Sequence, residues 1–315
     1  MIIGLASRLN ALRVHFPTDT KNSTTLTNAH SGAYWSVFLI ERMFLPTTIE
    51  PPESLIPDYP PSAPLPPPLP PTDSLVNEAL RSQMSHTNGS DSPSHDIGIN
   101  GHCLEMVAMW GRVRVYLHRL RRGLVEKPWL RESTYTKLGI EMFEYEARFG
   151  SQHLLRNVAF VGRTTQEVSR QRDYWNPWLT MQILSHASPA ILNHPFLHLV
   201  VLRSRDAIRH SRLFLQQTVD LTLYHTGWVF QLIRSAEGLV EIVDPLLGEI
   251  AAAVVTIPWV FQFAKDGNIS KKAQEDIATC ETFLSRLALT WPHIAHKVRQ
   301  TSQLASAFLL ILFPA

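Results

Sequence analysis

His194 and His198, in "HPFLH", have the i, i+4 spacing that sets two imidazoles on one helix face, as in a zinc pair. His293 and His296 lie three apart. A metalloprotease needs H-E-x-x-H, with the glutamate as general base. Here Pro195 follows His194, so the pair straddles a helix start, and both pairs read as surface or packed histidines. The only cysteines, Cys103 and Cys280, form no C-x-x-C pair, too few thiolates for a zinc site. Neither has a recognisable base partner for nucleophilic work. No G-x-S-x-G elbow, P-loop or G-x-G-x-x-G occurs, and no aspartate cluster of the kind that holds Mg²⁺ and a diphosphate. The basic clusters "HRLRRG" (118–123) and "RSRDAIRHSR" (203–212) read as solvated helix faces, with acidic residues following at modest distance.

Composition narrows the classes. Hydrophobic residues make up 45% of the 315 and charged residues 18%, as in an ordered chain that can bury a substantial core. A formal net charge of +2 argues for neither nucleic acid nor an anionic membrane as a bulk-charge partner. The cysteine usage suits a reducing, intracellular compartment. "MIIGLASRLNALRVHF" does not read as a signal peptide, because Arg8 and Arg13 interrupt its apolar run. The apolar stretches at 250–264 and 304–315 fall short of the ~20 residues a membrane span needs. No membrane partner is expected.

The elements that would position these residues are helices. Ile2, Leu5, Leu9, Leu12 and Phe16 recur at helical spacing before Pro17. "AYWSVFLIERMF" (33–44) is amphipathic, with Trp35, Leu39 and Met43 four apart, and Pro46 ends it. Twelve of the chain's 22 prolines fall between Pro46 and Pro71, so residues 47–100 are expected to be an irregular, disordered linker. From 103 to 313 the pattern is helical. Val113, Leu117, Leu120 and Leu124 form a stripe, residues 176–197 are apolar with breaks expected at Pro189 and Pro195, and 205–234 make a long helix. Asp244 is placed to cap a helix with Pro245 in its first turn, and Ser270 to cap another that carries Ile277, Cys280, Leu284 and Leu287 on one face. The fold class is all-α: an irregular multi-helix bundle with a proline-rich insertion, divided as 1–46, 47–100 and 101–315.

Four of these segments, in order, resemble the fungal-specific transcription factor domain, the middle homology region of binuclear zinc-cluster regulators. "GLASRLNALRVHF" is similar to its G-x-A-x-R-x-A-x-x-L-G-L helix, and "AYWSVFLIERMF" to its FW-s-f-l-l-D-R helix. "LTMQILSHASPAILNHPFL" is similar to l-q-l-l-y-H-x-a-x-i-x-L-h-R-P-f-L, and "DPLLGEIAAAVVTIPWVF" to the late d-P-x-x-g helix. Glu41 stands where the family usually has Asp, and Asn193–His194 where His–Arg is common.

The resemblance implies a nuclear regulator of transcription that works by protein–protein contact through its helical domain. Its residues at the motif positions are Trp35, Phe38, Glu41, Arg42, His194, Pro195, Asp244 and Pro245. Trp35 and Phe38 would pack into the core, and Glu41–Arg42 would form a polar pair at the end of their helix. Family members usually open with six zinc-binding cysteines and a basic linker. This chain has no such ligand set, so it is expected to bind no DNA sequence on its own and to reach promoters through a zinc-cluster protein or co-regulator. A C-terminal portion of a regulator, a shortened paralogue or an incomplete gene model are the expected origins. A small-molecule effector is also implied. The rival readings are a helical enzyme of unknown chemistry and a non-functional fragment.

Overall fold

The computed structural model describes residues 35, 36, 38–40, 42, 43, 97–122, 126–195, 197, 198, 212–242 and 244–295. The N-terminal repeat, Glu41, the proline stretch, most of "RSRDAIRHSR", His296 and the apolar C-terminal run lie outside them. Among the described residues the secondary structure is helical, with no strand. The helices are α1 (Gly98–Arg122), α2 (Thr134–Arg148), α3 (Leu155–Val158), α4 (Thr165–Arg170), α5 (Arg172–Leu192), α6 (Arg212–Ala236), α7 (Pro245–Val254), α8 (Thr256–Phe261) and α9 (Gly267–Thr290). Short 3-10 turns at Ser151–His153 and Phe160–Gly162 flank α3.

Local chemistry sets the helix ends. Ser133 Oγ accepts from the Thr136 amide at 3.0 Å to open α2, and the Glu126 carboxylate takes the Thr134 and Tyr135 amides at 3.0 and 3.2 Å. Thr164 and Glu167 close a reciprocal capping box on α4. Asp244 accepts from the Leu246 amide at 2.9 Å with Pro245 in the first turn of α7. One helix start differs from expectation: α9 begins at Gly267, capped by Asp266, whose carboxylate takes the Asn268 amide at 2.8 Å. Asp266 reaches the orphan amides first, and Ser270 Oγ donates instead to the Gln262 carbonyl.

α5 is the central element. It is apolar on nearly all sides, as suits a helix enclosed by others, and it packs chiefly against α1 and α6. The break expected at Pro189 does not occur: α5 runs through Pro177 and Pro189 to Leu192. Burial on several sides stabilises the helix enough to offset the hydrogen bond each proline removes. The Pro189 carbonyl is then satisfied by the Asn193 amide at 3.0 Å and by Asn193 Nδ2 at 2.8 Å. Trp175, Trp178 and Phe160 are fully buried and form an aromatic centre, with Phe160–Trp178 centroids 4.9 Å apart. Residues 98–100, expected within the linker, are already part of α1.

The helical residues among 35–43 lie on α1. Trp35 and Phe38 are 3% and 1% exposed and meet edge to face at 5.4 Å, and Met43 is buried with them. The Arg42 guanidinium lies 5.4 Å over the Phe38 ring. Arg114 donates to the Arg42 carbonyl at 3.1 Å and to the Met43 carbonyl. Gly111 permits this approach, since a Cβ there would meet Arg42 Cδ at 3.1 Å. On α7, a Cβ on Gly248 would meet Leu287 Cδ1 at 3.0 Å, so the small residue in "DPLLG" lets α7 settle on α9.

Candidate functional site

A cavity of about 690 Å³ opens between α2, α5 and α6, within the size range of small-molecule sites. Its walls are largely apolar, with Met106, Met142, Phe149, Met181, Leu192 and Leu232 among the lining residues. Ile140 and Phe143 of α2 and Tyr224 of α6 line it too and are exposed, which puts them at the mouth. The charged lining residues, Glu146 and Arg156, are also exposed, so their charges sit in water and not against the apolar wall.

Two histidines meet in this wall. His186 of α5 and His225 of α6 bring their Nδ1 atoms to 3.0 Å. A contact of that length needs one proton between the nitrogens, so one ring donates from Nδ1 and the other accepts. The donor ring then carries a lone pair at Nε2, and the acceptor ring carries an N–H there. His186 stacks on Trp228 at 5.6 Å with 12° between the planes, which fixes its orientation. Burial holds both imidazoles neutral, pushing each down to about 4, and for His186 the neighbouring His225 adds to the effect. Among the described residues neither Nε2 takes a protein hydrogen bond, and neither is closed off from solvent.

Several other polar groups of the wall are occupied. Gln182 Nε2 donates to the His153 carbonyl at 3.3 Å, and Ser185 Oγ to the Gln182 carbonyl at 2.8 Å. The Tyr135 hydroxyl donates to Asn193 Oδ1 at 2.6 Å, and Thr136 Oγ1 to the Pro128 carbonyl at 2.7 Å. Ser185 is thus turned away from its neighbour His186, and the pair lacks the nucleophile–base contact that acyl transfer requires.

The residues singled out by sequence lie elsewhere. Trp35, Phe38 and Arg42 pack on α1, and Asp244 and Pro245 open α7. His194 Nε2 contacts Thr256 Oγ1 at 3.1 Å, whereas His198 Nε2 contacts the Leu192 carbonyl at 3.1 Å, so the two Nε2 atoms face different partners. Pro195 is buried beside them. Sequence reasoning passed over His186 and His225 because 39 positions separate them. The one available signal was that His186 lies inside the quoted "LTMQILSHASPAILNHPFL" segment.

Cysteine chemistry fits no zinc cluster. Cys103 lies in α1 and Cys280 in α9, both buried, and burial pushes the Cys103 thiol up to about 12 and the Cys280 thiol higher still. Among the described residues no group of three or more His, Cys, Asp or Glu could hold a metal ion, and no helix is long and apolar enough to cross a membrane. Compared with protein-family models, with curated proteins and with solved structures, the chain finds no match in any of the three.

Proposed function

We propose that this chain is a helical regulatory domain of the fungal zinc-cluster type, acting in the nucleus through protein–protein contact and responding to a small molecule in the α2–α5–α6 cavity. The observation that carries the reading is the cavity itself. It is of ligand size and apolar in its depth, and its wall carries the neutral His186–His225 imidazole pair. The ordered resemblance of four segments supplies the regulatory class. Three of those segments contribute buried packing here: Trp35 and Phe38 on α1, residues 179–192 in the central α5, and Gly248 on α9.

On this reading DNA contact belongs to a partner. Specific base readout needs an element in a groove and several side chains on base edges. Arg119, Arg121 and Arg122 at the end of α1 are exposed, and they complement the negative end of that helix. The test is to fuse the chain to a heterologous zinc-cluster DNA-binding domain in a fungal cell and read a reporter carrying the cognate site. The expected result is a change in output relative to the DNA-binding domain alone. An unchanged reporter, with the fusion present in the nucleus, would refute the regulatory reading.

A further inference from the structure

Most hydrogen-bonding groups around the cavity are spent within the protein. Gln182, Ser185, Asn193 and Tyr135 all have partners at 2.6–3.3 Å. Among the described residues the Gln217 amide and Tyr224 hydroxyl, on exposed residues, and the Trp228 indole N–H also take no protein partner, but the His186–His225 pair sets two open groups side by side, because its mutual Nδ1 bond leaves both Nε2 atoms unmatched. The pair offers one donor and one acceptor, and the two neutral arrangements, related by moving the shared proton across the Nδ1 contact and a second proton between the Nε2 atoms through water or ligand, differ in which ring offers which. A ligand group that both donates and accepts is matched by either arrangement. A group that only accepts is matched at one ring alone.

We propose that this cavity binds an uncharged, largely apolar molecule bearing a hydroxyl group, an alcohol or a phenol, whose hydroxyl meets an open Nε2 of the His186–His225 pair. The proposal rests on the reading of the cavity as an effector site and adds the ligand class. An ionised ligand is disfavoured because the depth of the cavity is apolar and its two charged lining residues, Glu146 and Arg156, sit at the solvent edge. Trp228, already stacked on His186, and Phe149 provide flat apolar wall for a ring-bearing body. Leaving an Nε2 unmatched when an apolar ligand displaces water from it carries the cost of a buried unpaired polar group, so the hydroxyl acts as a specificity element.

Three probes of one shape test this by calorimetric titration at pH 7: 4-hydroxybiphenyl, the isosteric 4-methylbiphenyl, and biphenyl-4-carboxylate. The hydroxyl probe is expected to bind about tenfold tighter than the methyl probe, the size of one net hydrogen bond, and tighter than the carboxylate. The His186→Phe/His225→Phe double variant keeps a ring on Trp228 and removes every ring nitrogen of the pair. In it the hydroxyl preference should vanish while the methyl probe still binds. Equal binding of the hydroxyl and methyl probes, preference for the carboxylate, no binding of any probe, or a preference that survives in the folded double variant would each overturn the proposal. The ranking on the unaltered protein decides the matter even where the double variant fails to fold. A silent reporter fusion with the hydroxyl preference intact would count against the regulatory reading alone. An active fusion without that preference would count against the ligand class alone.

Discussion

Acidification from pH 7 to pH 5 should destabilise the fold measurably through His186 and His225. An ordinary histidine titrates near 6.5, and burial in the cavity wall brings each of these down to about 4. The groups around the pair do not reverse this: Gln182 and Ser185 of α5 and Trp228 of α6 are uncharged, the Tyr224 ring is exposed, and the nearest charged lining residues, Glu146 and Arg156, face solvent. Below pH 6.5 the unfolded chain therefore binds protons that the folded chain refuses. The associated stability is whole above pH 6.5 and is lost as the pH falls toward 4. For one histidine with these two values, the loss at pH 5 is about 2 kcal/mol. Both rings keep partial contact with solvent, which screens the cost, so about 2 kcal/mol is expected for the pair together. The assay is urea unfolding at pH 7 and pH 5 of the unaltered chain and of His186→Gln/His225→Gln, whose amides cannot titrate. The double variant should lose about 2 kcal/mol less than the unaltered chain over that interval. An identical loss in both proteins would mean that the imidazoles are not held neutral by the fold, and the reasoning would fail.

Three further outcomes are expected. Trp35→Ala should cost ~3–5 kcal/mol in chemical denaturation, because the indole is 3% exposed and packed edge to face on Phe38; a cost under ~1 kcal/mol would remove Trp35 from the core. Asp276→Ala should cost ~1–3 kcal/mol, because this buried carboxylate of α9 accepts from Arg234 of α6 at 2.9 Å and Lys272 at 2.8 Å, while both cations keep contact with solvent after its loss; unfolding curves that superpose would show that the ion pair does not tie α6 to α9. Purified protein titrated with a randomised duplex pool at physiological salt should enrich no motif and bind no tighter than the non-specific range of ~10⁻⁴–10⁻⁶ M, and nanomolar capture of one sequence would show that the chain reads bases itself.

Local physics made much of this protein legible from residue order alone. Helical periodicity, which needs only the side chains of one segment, gave the all-α class and the amphipathic character of "AYWSVFLIERMF". Capping is equally local, so Asp244–Pro245 could be read directly as the start of α7. Where two local signals competed, sequence alone could not rank them: Asp266 opens α9 ahead of Ser270. Where tertiary packing outweighed a local rule, the rule misled: Pro189 signals a break, yet α5 continues because its neighbours enclose it. The cavity was beyond the reach of sequence, since it is made by faces of α2, α5 and α6 that come together only on folding. His186 and His225 look unremarkable apart, 39 positions from one another. Only the packing of α6 on α5 sets their Nδ1 atoms 3.0 Å apart, commits one proton to the space between them and leaves both Nε2 atoms open, because a hydrogen bond between distant residues is a property of the fold and not of either segment.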